Sequence, residues 1–86
     1  LSENENTVDF NVYPNPSNGL FSVELNSTIE SQIEMSIQDI RGSIVYKTLL
    51  TDNYQTFDLN NELSNGVYLV TLNGISNKTF KLVIQK

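Results

Sequence analysis

The apolar residues of this chain come in short runs that alternate with polar ones, and no run carries a helical repeat over three turns. Phe21, Val23 and Leu25 alternate with Ser22 and Glu24, and Ile33, Met35 and Ile37 alternate with Glu34, Ser36 and Gln38. A period of two puts each set on one side of an extended strand, half buried. All 4 glycines (Gly19, Gly42, Gly66 and Gly74) fall between these runs, where turns are expected, and three of them follow asparagine. With the two prolines also confined to one inter-strand stretch, the pattern predicts turns joining strands.

Read in order, the strands are predicted over residues 8–13, 19–25, 32–38, 43–50, 54–59, 67–72 and 79–85, with residues 1–7 as the tail of a linker and residues 8–86 as one domain. Residues 26–31 and 73–78 read as turns, and Asn60 to Gly66 as a polar loop with room for one helical turn. The stretch from Ser43 to Leu50 is apolar on both sides, so pattern alone sets its register weakly. About seven short antiparallel strands at roughly ten-residue intervals predict an all-β, immunoglobulin-like β-sandwich, with a small barrel as the alternative.

Between the first two strands lies Tyr13-Pro14-Asn15-Pro16-Ser17-Asn18-Gly19. Each proline fixes φ and lacks a donor, and each restricts the residue before it, so this stretch is a stiff corner. Asn18-Gly19 supplies the turn into the next strand.

Composition narrows the function. With 86 residues the chain suits one thin core rather than a core and a deep cavity. Only 17% of residues are charged, which argues against disorder. Ten acids against five bases give a net charge of −5, a balance that repels nucleic acid and anionic lipid. No apolar run approaches the ~18–20 residues of a membrane-spanning helix. The chain has neither cysteine nor histidine, which removes thiolate metal sites, disulfides and the commonest general base. It begins at Leu1 and its only methionine is Met35, so it is expected to be cut from a longer precursor.

No catalytic set emerges. The serines have no histidine to activate them. The carboxylate pairs Asp52 with Asp58 and Glu30 with Glu34 read as solvated charges, and Asp39 with Arg41 as a turn-stabilising pair. Asp52-Asn53 and Asn60-Asn61-Glu62 offer oxygen ligands to calcium but lack EF-hand spacing. Asn26-Ser27-Thr28 and Asn77-Lys78-Thr79 match the N-glycosylation pattern, which chance supplies readily in an asparagine-rich chain. No enzyme, metal or cofactor is expected. A generic adhesion or carbohydrate-binding module is the alternative function, with Tyr13 or Tyr68 stacking on a sugar if exposed.

Three segments together resemble the type A C-terminal sorting domain of the type IX secretion system of Bacteroidota. They are Val12-Tyr13-Pro14-Asn15-Pro16-Ser17-Asn18-Gly19 with Phe21-Ser22-Val23; Ile37-Gln38-Asp39-Ile40-Arg41-Gly42; and Leu63-Ser64-Asn65-Gly66-Val67-Tyr68-Leu69-Val70 with the terminal Lys78 to Lys86. They keep the family's order from about residue 8 to the end. Ser43 departs from it, standing where the family often carries a longer basic or polar side chain. The resemblance implies an immunoglobulin-like fold and a sorting signal fused behind a cargo protein, with no catalysis. It further implies passage through the periplasm and the outer-membrane translocon, recognition by an outer-membrane shuttle protein, and removal by a cell-surface sortase. The cargo then ends at the cell surface or outside. Recognition is expected at Pro14, Asn15, Pro16, Gly66, Val67, Tyr68, Lys81 and Lys86. Residues 79–86 are expected to lie beside residues 67–72, either offering main-chain groups to a partner strand, with Lys81 and Lys86 setting its charge, or merely completing the sheet.

Overall fold

A computed structural model describes residues 9–26, 32–73 and 79–86. The expectations for the linker tail, Val8, the two turns at 27–31 and 74–78, Glu30 and the Asn77 acceptor lie outside the described residues, and those for the Asn26 acceptor do so in part.

Seven strands form: β1 Phe10–Tyr13, β2 Leu20–Leu25, β3 Ile33–Asp39, β4 Ile44–Leu50, β5 Tyr54–Asp58, β6 Gly66–Asn73 and β7 Thr79–Ile84. They build two antiparallel sheets, one ordered β1-β2-β5 and the other β4-β3-β6-β7. Among the described residues there is no helix. In immunoglobulin terms β1, β2 and β5 take the places of strands A, B and E, while β4, β3, β6 and β7 take those of C′, C, F and G. The fold is the β-sandwich that the alternation implies.

The core is the set of inward rows. Phe10, Val12, Phe21, Val23, Leu25 and Phe57 face Ile33, Met35, Ile37, Leu50, Val70, Leu72, Leu82 and Ile84 across the interior, all buried. Transfer of each such side chain out of water contributes roughly 1.5–3 kcal/mol. Two ring pairs pack in this core: Phe21 with Phe57 within one sheet at 5.8 Å, and Phe10 with Phe80 between the sheets at 6.0 Å.

Two local details depart from the pattern, and the loop before β6 keeps to it. A bulge between Ile37 and Gln38 sets Ile37 opposite Tyr46 but Gln38 opposite Ile44. Ile44, which an unbroken period of two would set in one row with Tyr46 and Leu50, is therefore on the outer side and 52% exposed. Gly66, expected in a turn, is the first residue of β6, opposite Ile84. The loop at 60–65 makes one hydrogen-bonded turn, with the N–H groups of Glu62 and Leu63 both donating to the Leu59 carbonyl at 3.0 and 2.9 Å. That turn drives Leu63 into the core.

Candidate functional site

The β3–β4 hairpin closes on Asp39. Its Oδ1 accepts the N–H groups of Arg41 and Ser43 at 2.9 and 3.0 Å, and its Oδ2 accepts from Arg41 Nη2 at 3.2 Å. Gly42, at φ +91°, supplies the left-handed residue of the turn. The Ser43 N–H, then the Arg41 N–H and guanidinium, hold the Asp39 carboxyl below its ordinary value. Asp39 and Arg41 form the turn pair that their spacing implies.

The proline corner is built for a different contact. Both peptide bonds leading into Pro14 and Pro16 are cis. Between them Asn15 projects its amide onto the outer edge of β7. Asn15 Nδ2 donates to the Lys81 carbonyl at 2.7 Å, and Asn15 Oδ1 accepts the Val83 N–H at 2.9 Å. One side chain thus imitates the donor and acceptor of a neighbouring strand. Ser17 continues the imitation with its own backbone: its N–H donates to the Val83 carbonyl at 2.8 Å and its carbonyl accepts the Gln85 N–H at 2.7 Å. Inside the corner, Ser17 Oγ donates to the Leu20 carbonyl at 2.9 Å and accepts the Gly19 N–H at 3.0 Å. Ser17 is 2% exposed, and its hydroxyl is satisfied in both senses.

The corner is in turn locked to the loop after β5. Gly19, at φ +111°, lies so close to that loop that a Cβ would sit 2.7 Å from Asn60 Cα. The Leu59 N–H donates to the Gly19 carbonyl, and Asn60 Nδ2 donates to the Asn18 carbonyl, both at 2.8 Å. The same loop holds the end of the chain. The Lys86 N–H donates to Asn65 Oδ1 at 2.9 Å, and Lys86 Nζ donates to the Asn60 carbonyl.

On the other side of β7 lies the start of β6, with Gly66, Val67 and Tyr68 opposite Ile84, Val83 and Leu82. Tyr68 is buried, and its hydroxyl donates to the Ser64 carbonyl four residues back at 2.8 Å. This is the tyrosine corner of immunoglobulin-like sandwiches, in which a ring on strand F ties down the loop that precedes it. Tyr68 is therefore unavailable for sugar stacking. Tyr13 is exposed, with its hydroxyl donating to Glu24 Oε1 at 3.1 Å.

The eight residues singled out from the sequence thus converge on one strand. Pro14, Asn15 and Pro16 flank β7 on its outer edge, Gly66, Val67 and Tyr68 flank it on the inner edge, and Lys81 and Lys86 belong to β7 and its extension. One expectation needs correction: between Lys81 and Gln85 the outer edge of β7 does not offer free main-chain groups, because Asn15 and Ser17 already take them. Sequence reasoning missed Ser17, Asn60 and Asn65 as partners of the terminal strand. Asparagine beside a turn signals only the turn, and nothing local marks its distant partner. Among the described residues no group of three or more Asp and Glu side chains is placed to hold a metal.

An immunoglobulin-like sandwich in which β7 is held between β6 and a proline corner defines a domain organised about that strand. Residues 11–86 match the family described as the secretion system C-terminal sorting domain, and the chain belongs to that family, the sorting domain of type IX secretion. No curated protein and no solved structure matches the chain. Membership makes the domain a sorting signal that sends its protein to the cell surface or beyond.

Proposed function

We propose that this domain is the folded C-terminal address of a secreted cargo protein, carried N-terminally to it, and that the address is the unit formed by β7, the proline corner and the start of β6. The cargo crosses the periplasm, the outer-membrane translocon passes it, a shuttle protein of the outer membrane binds the domain, and a cell-surface sortase cuts upstream of it. The observation that supports this reading is the convergence of the motif residues of the family on β7, above all the two-point bond of Asn15 to Lys81 and Val83. Lys81 is exposed and projects its charge from this unit, while Lys86 closes it.

The test is a reporter fused ahead of residues 1–86 and expressed in a type IX-competent strain and in a translocon mutant. Export and clipping in the first and retention in the second are expected. Retention in both strains, or export in both, contradicts the reading.

A further inference from the structure

The chain's charge is divided between its two sheets. None of the five basic residues falls on β1, β2 or β5, whereas Glu24 and Asp58 do. On the four-stranded sheet the acids are answered: Glu34 lies 3.7 Å from Lys47, and Asp39 lies 3.2 Å from Arg41. Neither Glu24 nor Asp58 has a base within ion-pair distance among the described residues.

Two tyrosines lie over Glu24. Tyr13 of β1 is opposite Ser22, yet its hydroxyl reaches along β2 to Glu24 Oε1 at 3.1 Å. Tyr54 of β5 is opposite Glu24, yet its hydroxyl stands 3.3 Å from Ser22 Oγ. Each ring therefore slants across β2, held at its backbone and at its hydroxyl. A ring held at both ends lies along the sheet with one face inward and one to solvent, in keeping with exposures of 41% for Tyr13 and 51% for Tyr54. Glu24 Oε2 meets no donor among the described residues, and Glu24 and Asn11 line an open hollow of about 340 Å³.

We infer that this face of the three-stranded sheet binds an arginine presented by a partner protein, its guanidinium stacked on the Tyr13 and Tyr54 rings and paired with the Glu24 carboxylate. The face of an aromatic ring attracts a cation, and a carboxylate with no base beside it adds to that attraction. A guanidinium is flat and carries its donors in a fork, so it stacks on a ring and bonds a carboxylate at once, whereas an ammonium offers no flat face. The chain supplies no such occupant. Its single arginine, Arg41, is held by Asp39 in a turn of the other sheet. A second copy would bring that same engaged side chain together with a net charge of −5. The residues before β1 include Glu3 and Glu5 and no base. The site belongs to the other sheet from β7 and does not depend on the sorting function proposed above.

The test titrates the purified protein with N-acetyl-arginine amide and follows its amide and ring resonances by NMR. Saturable shifts are expected at Tyr13, residues 22–24 and residues 54–56. Glu24→Gln keeps an acceptor for the Tyr13 hydroxyl but loses the charge, and Tyr54→Leu loses a ring. Each is expected to weaken binding at least about threefold, while Glu34→Gln, on the other sheet, leaves it unchanged. Equal shifts with the neutral isostere N-acetyl-citrulline amide, or wild-type affinity in Glu24→Gln, overturn the arginine site. Equal binding of methyl β-glucoside assigns the rings to a sugar and overturns it as well. In cells, a photo-crosslinking side chain at Leu20, 50% exposed on the same face, is expected to join the reporter fusion to an arginine-containing segment of another protein. Glu24→Gln should remove that crosslink. A crosslink to a second copy of the fusion, or none that depends on Glu24, overturns the partner named here.

Discussion

The amide of Asn15 pairs with Val83 as a strand backbone would, accepting the Val83 N–H at 2.9 Å while it donates to Lys81, 66 residues away in sequence, at 2.7 Å. The bond joins the link between the first two strands to the last one and closes an edge of the four-stranded sheet. Replacement by aspartate keeps the shape and the acceptor but loses the donor, setting a second oxygen against the Lys81 carbonyl. Asn15→Asp is expected to cost about 1–2 kcal/mol at neutral pH, read from urea unfolding, with partial recovery once the new carboxyl protonates and can donate. A neutral-pH stability equal to that of the wild type would mean the bond contributes nothing.

The glycines of the described turns differ in what a side chain would meet. At Gly19 a Cβ would lie 2.7 Å from Asn60 Cα and the backbone is at φ +111°, whereas at Gly42 nothing lies within 4 Å and only φ +91° opposes it. Gly42→Ala should cost about 1 kcal/mol for the left-handed backbone alone. Gly19→Ala should cost roughly twice that or more, because the corner must also move off the Asn60 backbone. Thermal melts of the two variants give the order, and the reverse order would contradict the packing described.

Tyr68 ties the loop before β6 through its hydroxyl, which donates to the Ser64 carbonyl at 2.8 Å and stands 3.4 Å from Ser64 Oγ. Tyr68→Phe keeps the buried ring and should cost about 1 kcal/mol, with faster amide exchange confined to residues 60–66. Loss of cooperative unfolding in that variant would assign the hydroxyl a larger part than its contacts with Ser64 can supply.

The Asp39 carboxyl is held below the ordinary 3.8, chiefly by the N–H groups of Ser43 and Arg41 and then by the Arg41 guanidinium. A carboxyl whose folded value is depressed stabilises the fold above its unfolded value, and that contribution is lost as pH falls through the folded value. The melting temperature of Asp39→Asn should therefore lie below that of the wild type at about pH 6 and approach it at about pH 2.5. A gap that stays constant with pH would show that the charge of Asp39 is not what holds the turn.

Much of this was legible in the sequence, for identifiable reasons. Phe21, Val23 and Leu25 lie inward because period two leaves them no other side, and Asp39-Ile40-Arg41-Gly42 turns because its acid and glycine fit a hairpin. Leu63 was hidden, since a single apolar residue in a polar loop has no period, and only the turn begun at Leu59 aims it inward. The bulge at Ile37 was hidden too, and with it the outward position of Ile44, because the strand is apolar on both sides. The eight site residues were singled out by the family motifs, but their convergence on β7 was not visible. The bonds from Asn15 to β7 span 66 and 68 residues, a distance that no local pattern reports.

On the function proposed above, the secretion system reads the folded unit of β7 and the proline corner. The measurement closest to that claim is export of the reporter fusion carrying Asn15→Asp, set beside a core variant of matched stability such as Phe57→Leu, in the same type IX-competent strain. Asn15→Asp is expected to lower the exported fraction well below that of the matched core variant. Equal export from the two would contradict it, since the corner would then count only through the stability of the sandwich.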